Sequence, residues 1–180
     1  CDMGLMVNQN EIFAAPHAAA AYCNLKGYHK ILLVVPDKKM QEDFADFQLV
    51  DSNPDAIVLG DMGRLFTFRL LNNLLRTIMN GADLVAMHKN RYWMPDEGMA
   101  LDLGAFVAAL EYASNKSAVV VGKPDANLFK LAVRSWNVSK NSIYVVGDDL
   151  EGDVRGAKNA GMKSILVKTG KFREENLKSL

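Results

Sequence analysis

Four acidic residues crowd into one short run of this 180-residue chain: Asp148, Asp149, Glu151 and Asp153 follow the apolar segment 142–146 in the word GDDLEGD. Carboxylates at the C-terminal end of a parallel strand stand where open α/β sheets gather their ligands. Oxygen donors this close together suit a hard cation, and Mg2+ takes one or two protein carboxylates, several waters and a substrate phosphate. Asp148 is the first candidate ligand. The competing reading is that Asp149 and Asp153 cap and decorate the first turn of the next helix, where the macrodipole favours acids.

Lys123 shifts that balance. It follows the apolar run AVVV in a Gly-Lys-Pro turn and emerges on the same sheet edge as Asp148. A cation beside a carboxylate cluster suggests phosphate, because phosphoryl transfer needs charge neutralised on the transferring oxygens, and a lysine and a metal supply it together. Taken alone, a lysine in a GKP tripeptide is more often an ordinary turn residue.

The elements that must position these groups are legible as an alternation. Short aliphatic runs over 29–35, 56–60, 83–87, 118–121, 142–146 and 164–168 read as strands. Helical spacing marks 11–22, 65–79, 105–113, 126–136 and 152–160, with Leu71, Leu74, Leu75 and Ile78 on one face of the second and Gly81 as a cap beyond it. Strand and helix in turn predict an α/β fold with a parallel sheet. The segment 89–102 has no clear periodicity and reads as a loop between two units. Phe66, Phe68, Phe106, Phe129 and Trp136 fall at spacings expected of packing.

Composition narrows the function classes. With 49% apolar residues the chain can bury one substantial core, or a modest one with a satellite. Lys plus Arg and Asp plus Glu are equal at 21 each, so no summed field draws the chain toward nucleic acid or an anionic membrane, and neither partner is expected. An anionic substrate must be held by a local site. Cys1 and Cys23 lack metal-type spacing, and neither a signal-peptide charge pattern nor a bilayer-length apolar run is visible, so a cytoplasmic setting is expected.

The words around the two motifs carry a family resemblance. AIVLGD, HKNRYW, LDLGAFVAALEYAS, VVGKP, VVGDDLEGDVRGAKNAGM and ILVKTGK, which lie between residues 56 and 171, resemble the NagD-like branch of haloacid dehalogenase superfamily phosphatases, and the resemblance extends from about residue 10 to 171. GKP and GDD with Asp153 match that family's third and fourth motifs. The resemblance implies a Rossmannoid parallel-sheet core, lacking its N-terminal first-motif strand here, with an inserted α/β C2-type cap. Residues 1–16 would be a remnant of the core and link, 17–100 the cap, and 101–180 the C-terminal part of the core.

Carried over by position, the resemblance implies that Asp148 ligates Mg2+, that Asp149 and Asp153 complete or orient its outer shell, and that Lys123 stabilises the nucleophile and the transferring phosphoryl group. Gly122 and Pro124 would shape the turn presenting Lys123. On the cap side, Arg91 is the first candidate for gripping the substrate, with Asn90 as a hydrogen-bonding neighbour and Tyr92 or Trp93 as stacking surfaces; domain-interface packing is the alternative for all four. His88 ends an apolar strand without a Cys or His partner, which favours a structural role over a catalytic one.

The implied activity is Mg2+-dependent hydrolysis of a small phosphorylated substrate, a phosphoric ester or a phosphoamide or pyrophosphate, through an aspartyl-phosphate. No residue matches the family's Asp-x-Asp nucleophile strand, so that group is expected outside residues 1–180 and these residues alone are expected to be inactive. The alternative is a catalytically inactive binding protein or fragment of the same fold. Caps of this type carry the further expectation of a homodimer.

Overall fold

The structure, a computed structural model, describes residues 4, 6–8, 11–93, 95 and 97–175. Small residues and Pro16 in the first turn form α1 (Ala15–Lys26), and Gly27, at φ 71°, ends it in the left-handed region that glycine tolerates. The apolar pattern predicts an earlier start, at 11. Periodicity marks a helix's buried face, whereas the observed start is set by Ala14, which is extended and donates its N–H to His17 Nδ1 at 3.2 Å.

Strand β1 (Lys30–Val34) follows, then a 3-10 helix (Lys38–Phe44) capped by Asp37, whose carboxylate accepts the Lys39 N–H at 2.9 Å. After β2 (Gln48–Leu49) comes β3 (Ala56–Leu59), buried along its whole length as an aliphatic run in a two-faced parallel sheet should be. Thr67 Oγ1 accepts the Leu70 N–H at 3.1 Å and starts α2 (Phe68–Met79), which leads into β4 (Asp83–Ala86). Leu74 and Ile78, one turn apart on α2, are sealed in the core, each contributing about 1.5–3 kcal/mol of apolar burial.

The segment read as a loop between two units holds a small antiparallel hairpin, β5 (Tyr92–Trp93) with β6 (Ala100–Leu101). An exposed ion pair between Arg64 and Glu97, 3.0 Å, lies beside it. Asp102 then caps α3 (Leu103–Ser114) by accepting the Leu103 N–H at 2.7 Å, and β7 (Val119–Val120) joins the sheet. The sheet order is β2-β1-β3-β4-β7, with every neighbouring pair parallel. Leu103, Val107, Leu110 and Val121 belong to the same core cluster as Ile31, Ile57 and Leu59. The first core therefore continues well past residue 100, where the resemblance places the start of the second unit, because α3 and β7 pack onto the sheet begun by β1.

The remaining chain builds a smaller unit: α4 (Asn127–Ala132), β8 (Tyr144–Gly147), a π-type turn (Leu150–Arg155), α5 (Gly156–Ala160) and β9 (Lys163–Leu166). β8 and β9 pair in parallel, from Tyr144 with Lys163 to Gly147 with Leu166. Ala157, Ala160 and Met162 form its core with Phe129, Ile143 and Val145 against them. Two aromatics depart from the packing expectation: Phe68 is 83% exposed and Trp136 58%. Phe68 is the first residue of α2, ahead of the turns that meet the sheet, and Trp136 lies past the end of α4, which stops at Ala132 rather than running to 136. Phe66 and Phe106 do pack, stacked with ring centroids 3.8 Å apart. Among the described residues no helix is long and apolar enough to cross a membrane.

Candidate active site

Two parallel neighbours send their following loops to the same sheet edge, which is why the segments after β8 and β9 meet. Asp148, directly after β8, accepts the backbone N–H of Lys171, beyond β9, on Oδ2 at 2.6 Å. Gly170 makes that approach feasible: it sits at φ 48°, and a Cβ there would collide with the Asp148 carboxylate.

Asp149 is a cap, as the competing reading of the acidic run expects, and more than a cap. Its Oδ1 accepts the N–H groups of Glu151 (3.1 Å) and Gly152 (2.9 Å), while Oδ2 receives the Lys171 ammonium at 3.1 Å. Burial would push its carboxyl upward, but the Gly152 N–H, the Lys171 ammonium and the Glu151 N–H together hold it below the ordinary carboxylate value. The doubly satisfied cap widens the first turn into π form, with the Asp149 carbonyl accepting from both Asp153 (2.8 Å) and Val154 (3.2 Å).

That wide turn aims Asp153 inward. Its side chain is 8% exposed, Oδ1 is 2.6 Å from the Lys123 ammonium, and Oδ2 accepts the Asp149 N–H at 3.2 Å. Gly147 leaves the space it occupies, since a Cβ there would strike the Asp153 carboxylate. Lys123 arrives from the other unit: Val121 donates its N–H to the Ala86 carbonyl at 3.0 Å, and Gly122 lies so close to the Met87 carbonyl that only glycine fits. The turn after β7 is thus tied to the end of β4.

Lys123, Asp148, Asp149 and Asp153 line one cavity of about 320 Å³, together with Asn90, Pro124, Glu151, Gly152 and Lys171. Of the residues singled out from sequence, the structure brings Lys123, Asp148, Asp149, Asp153 and Asn90 together. Arg91, Tyr92 and Trp93 stay outside: all three are exposed and none lines the cavity, Arg91 lying over the Tyr92 ring at 5.9 Å. Asn90 is held at the wall through its carbonyl, which accepts the Gly104 N–H at 2.8 Å. Lys171 was missed by sequence reading. The available signal was its place just after Gly170, beyond a strand parallel to the one bearing the acids. His88 lies elsewhere, with Nε2 3.8 Å from the buried Asp102 carboxylate, in keeping with a structural role.

Charge decides what the cavity can hold. Its walls carry four carboxylates against two ammonium groups. Asp153 is paired with Lys123, Asp149 with Lys171, and Glu151 with Arg155 at 2.9 Å. Asp148 enters no ion pair among the described residues, so it is the carboxylate left to meet an added cation. No group of three or more His, Cys, Asp or Glu side chains among the described residues is arranged to cage a metal. The donor set instead fits a hard cation that keeps its waters and takes a single carboxylate here.

The chain is similar to known proteins over most of its length. The HAD-hydrolase-like family matches residues 120–180. Haloacid dehalogenase-like hydrolase domain-containing protein 2 of Bos taurus is 41% identical over 167 residues, 93% of this chain and 63% of that protein. Phospholysine phosphohistidine inorganic pyrophosphate phosphatase of Homo sapiens is 34% identical over 173 residues, 95% of this chain and 63% of that protein. The chain thus spans 63% of the length of these curated relatives. The p-nitrophenyl phosphatase of Archaeoglobus fulgidus superposes with a TM-score of 0.87 at 27% identity, covering 99% of this chain and 69% of that one. NagD of Escherichia coli K-12 shares the fold, with a TM-score of 0.84 at 22% identity, over 99% and 70% of the two chains.

Proposed function

We propose that this chain, which is similar to haloacid dehalogenase-type hydrolases along most of its length, belongs to the NagD-like branch of that superfamily and forms the metal- and phosphate-holding side of a phosphohydrolase site acting on small phosphorylated compounds. The observation that carries the reading is the convergence of Lys123 and Asp148 on one cavity from two different strands. Relatives named as a p-nitrophenyl phosphatase and as a pyrophosphate phosphatase support the reaction class.

In this reading Asp148 holds Mg2+, which, when bound, supplies charge neutralisation to the transferring phosphoryl group. Lys123 places its ammonium against the same phosphoryl oxygens, held at a fixed angle by the buried Asp153. Asp149 keeps the turn after β8 in shape through its backbone hydrogen bonds. Asn90, which also lines the cavity, offers its amide to the substrate. An aspartate from outside the residues lining the cavity attacks phosphorus, the leaving group departs with the bonding electron pair, and water then hydrolyses the aspartyl-phosphate.

The test is phosphate release from p-nitrophenyl phosphate by the full-length protein, with and without Mg2+. Asp148→Asn and Lys123→Met are each expected to lower kcat/KM by at least about 100-fold, the scale of removing a preorganised electrostatic contact. Turnover that survives both substitutions unchanged would rule the reading out. A non-catalytic binding protein, the rival expectation, predicts no phosphate release at all while the site still binds phosphate.

A further inference from the structure

The part of the cavity wall that carries Asn90 is built on α3, because four successive residues after β4 are attached to that helix. His88 Nε2 faces the Asp102 carboxylate at 3.8 Å, the Asn90 carbonyl accepts the Gly104 N–H at 2.8 Å, and the Arg91 carbonyl accepts the Asp102 N–H at 3.3 Å. A Cβ on Gly104 would strike the Asn90 carbonyl, so the segment lies directly on the first turn of α3. Lys89 makes the fourth attachment with its ammonium, 2.6 Å from Glu111 Oε2, about two turns further along the helix.

The attachment of Lys89 differs in kind from those of its neighbours. Asn90 and Arg91 are held by their carbonyls, which fixes the path of the chain and leaves their side chains free to turn. Lys89 is held by its side chain. It lines a separate cavity of about 680 Å³, Asn90 lines the cavity of Lys123 and Asp148, and Pro124 lines both. Holding the Lys89 side chain against α3 therefore limits the directions open to the next residue, Asn90.

Glu111 is suited to the holding role. Its side chain is 21% exposed and its two oxygens serve different partners, with Oε1 accepting the Ala118 N–H at 3.0 Å. Ala118 leads into β7, so one carboxylate ties the segment bearing Asn90 to the strand that leads to Lys123. Burial would raise its carboxyl, but the Lys89 ammonium and the Ala118 N–H hold it below its ordinary value, which keeps it ionised at neutral pH.

We infer that Glu111 is a positioning residue, which through its ion pair with Lys89 holds the Asn90 amide at the cavity wall. This role rests on the phosphate-site reading above. Without the pair, the bound substrate must itself order Lys89 and Asn90, and that entropic cost falls on binding. A contact made equally in the bound and transition states raises KM and leaves kcat unchanged when it is lost.

The test is KM and kcat of the full-length protein on p-nitrophenyl phosphate, with Kd for the same compound by calorimetry. Glu111→Gln keeps an acceptor for the Ala118 N–H and removes the charge facing Lys89. It should raise KM and Kd by about three- to tenfold and change kcat by less than about twofold. Lys89→Met should reproduce this from the other end of the pair and decides the matter if Glu111→Gln does not fold, whereas Lys89→Arg should stay near the parent. Asn90→Ala should raise KM at least as much. Adding Glu111→Gln to it should then change KM by less than about twofold, because a residue acting through Asn90 has nothing left to position. Additive losses in the double variant, parent-like KM and Kd in Lys89→Met, or no effect of Asn90→Ala overturns the inference, and turnover that still depends on Lys123 and Asp148 then leaves the phosphatase reading standing. If the parent binds p-nitrophenyl phosphate without hydrolysing it and the Kd pattern holds, the phosphatase reading fails and the role of Glu111 stands. A parent that neither binds nor hydrolyses it overturns both.

Discussion

Replacing Asp153 separates its two jobs, because its two oxygens serve different partners. Asp153→Asn keeps an acceptor for the Asp149 N–H but removes the charge facing Lys123. A hydrogen bond to a charged group contributes about 1.5–3 kcal/mol net. The Lys123 side chain is 50% exposed, so hydration of the abandoned ammonium recovers part of this. The expected cost is about 1–2 kcal/mol. Asp153→Ala also strips the acceptor from the partly buried Asp149 N–H, adding about 1 kcal/mol, for a total near ~2–3 kcal/mol. In a chain of this size each kcal/mol lowers Tm by about 2–4 °C, so thermal unfolding should place the alanine variant several degrees below the asparagine variant, and that one below the parent. Freed from its anchor, Lys123 no longer meets the phosphoryl group at a fixed angle, so kcat/KM of Asp153→Asn should fall by at least about tenfold. Matching Tm values for all three proteins would refute the assignment of Asp153 as the anchor of Lys123.

Two further outcomes follow from single contacts. Gly170→Ala forces a Cβ into the Asp148 carboxylate at a positive φ, so it should cost about 1–2 kcal/mol and loosen Mg2+ binding by calorimetry; unchanged affinity would show that Asp148 does not depend on the Lys171 loop. Burial pushes the Glu111 carboxyl up, but the Lys89 ammonium at 2.6 Å and the Ala118 N–H at 3.0 Å outweigh it and hold it below its ordinary 4.5. The contribution is thus full above pH 4.5 and lost as pH falls through the lower folded-state value. Urea midpoints should drop more steeply with acidification in the parent than in Glu111→Gln, and parallel slopes would contradict this.

Much of the fold is legible in the chain because the signals are local. Aliphatic runs such as 56–59 are buried on both sheet faces, and Leu74 and Ile78 share the face of α2 that meets the sheet. Where prediction and structure part, the deciding contact is distant in sequence. Residues 101–121 read as the start of a second unit, yet α3 packs on α2 and β7 pairs with β4. Phe68 and Trp136 carry core-type side chains but stand beyond the stretches that meet other elements.

The same division holds at the site. Sequence alone determined that carboxylates would crowd the end of one strand and a lysine the end of another, because strand, turn and residue type are adjacent in the chain. Tertiary structure decided the use of each group. Asp149 turned its oxygens to backbone N–H donors and to Lys171, Asp153 turned to Lys123, and Asp148 alone kept no cationic partner among the described residues. It also set Asn90 at the cavity and Arg91 outside it, although the two are neighbours in sequence. Ion pairing depends on distances of a few ångströms between separate strands, and those distances exist only once β8, β9 and the turn after β7 have met.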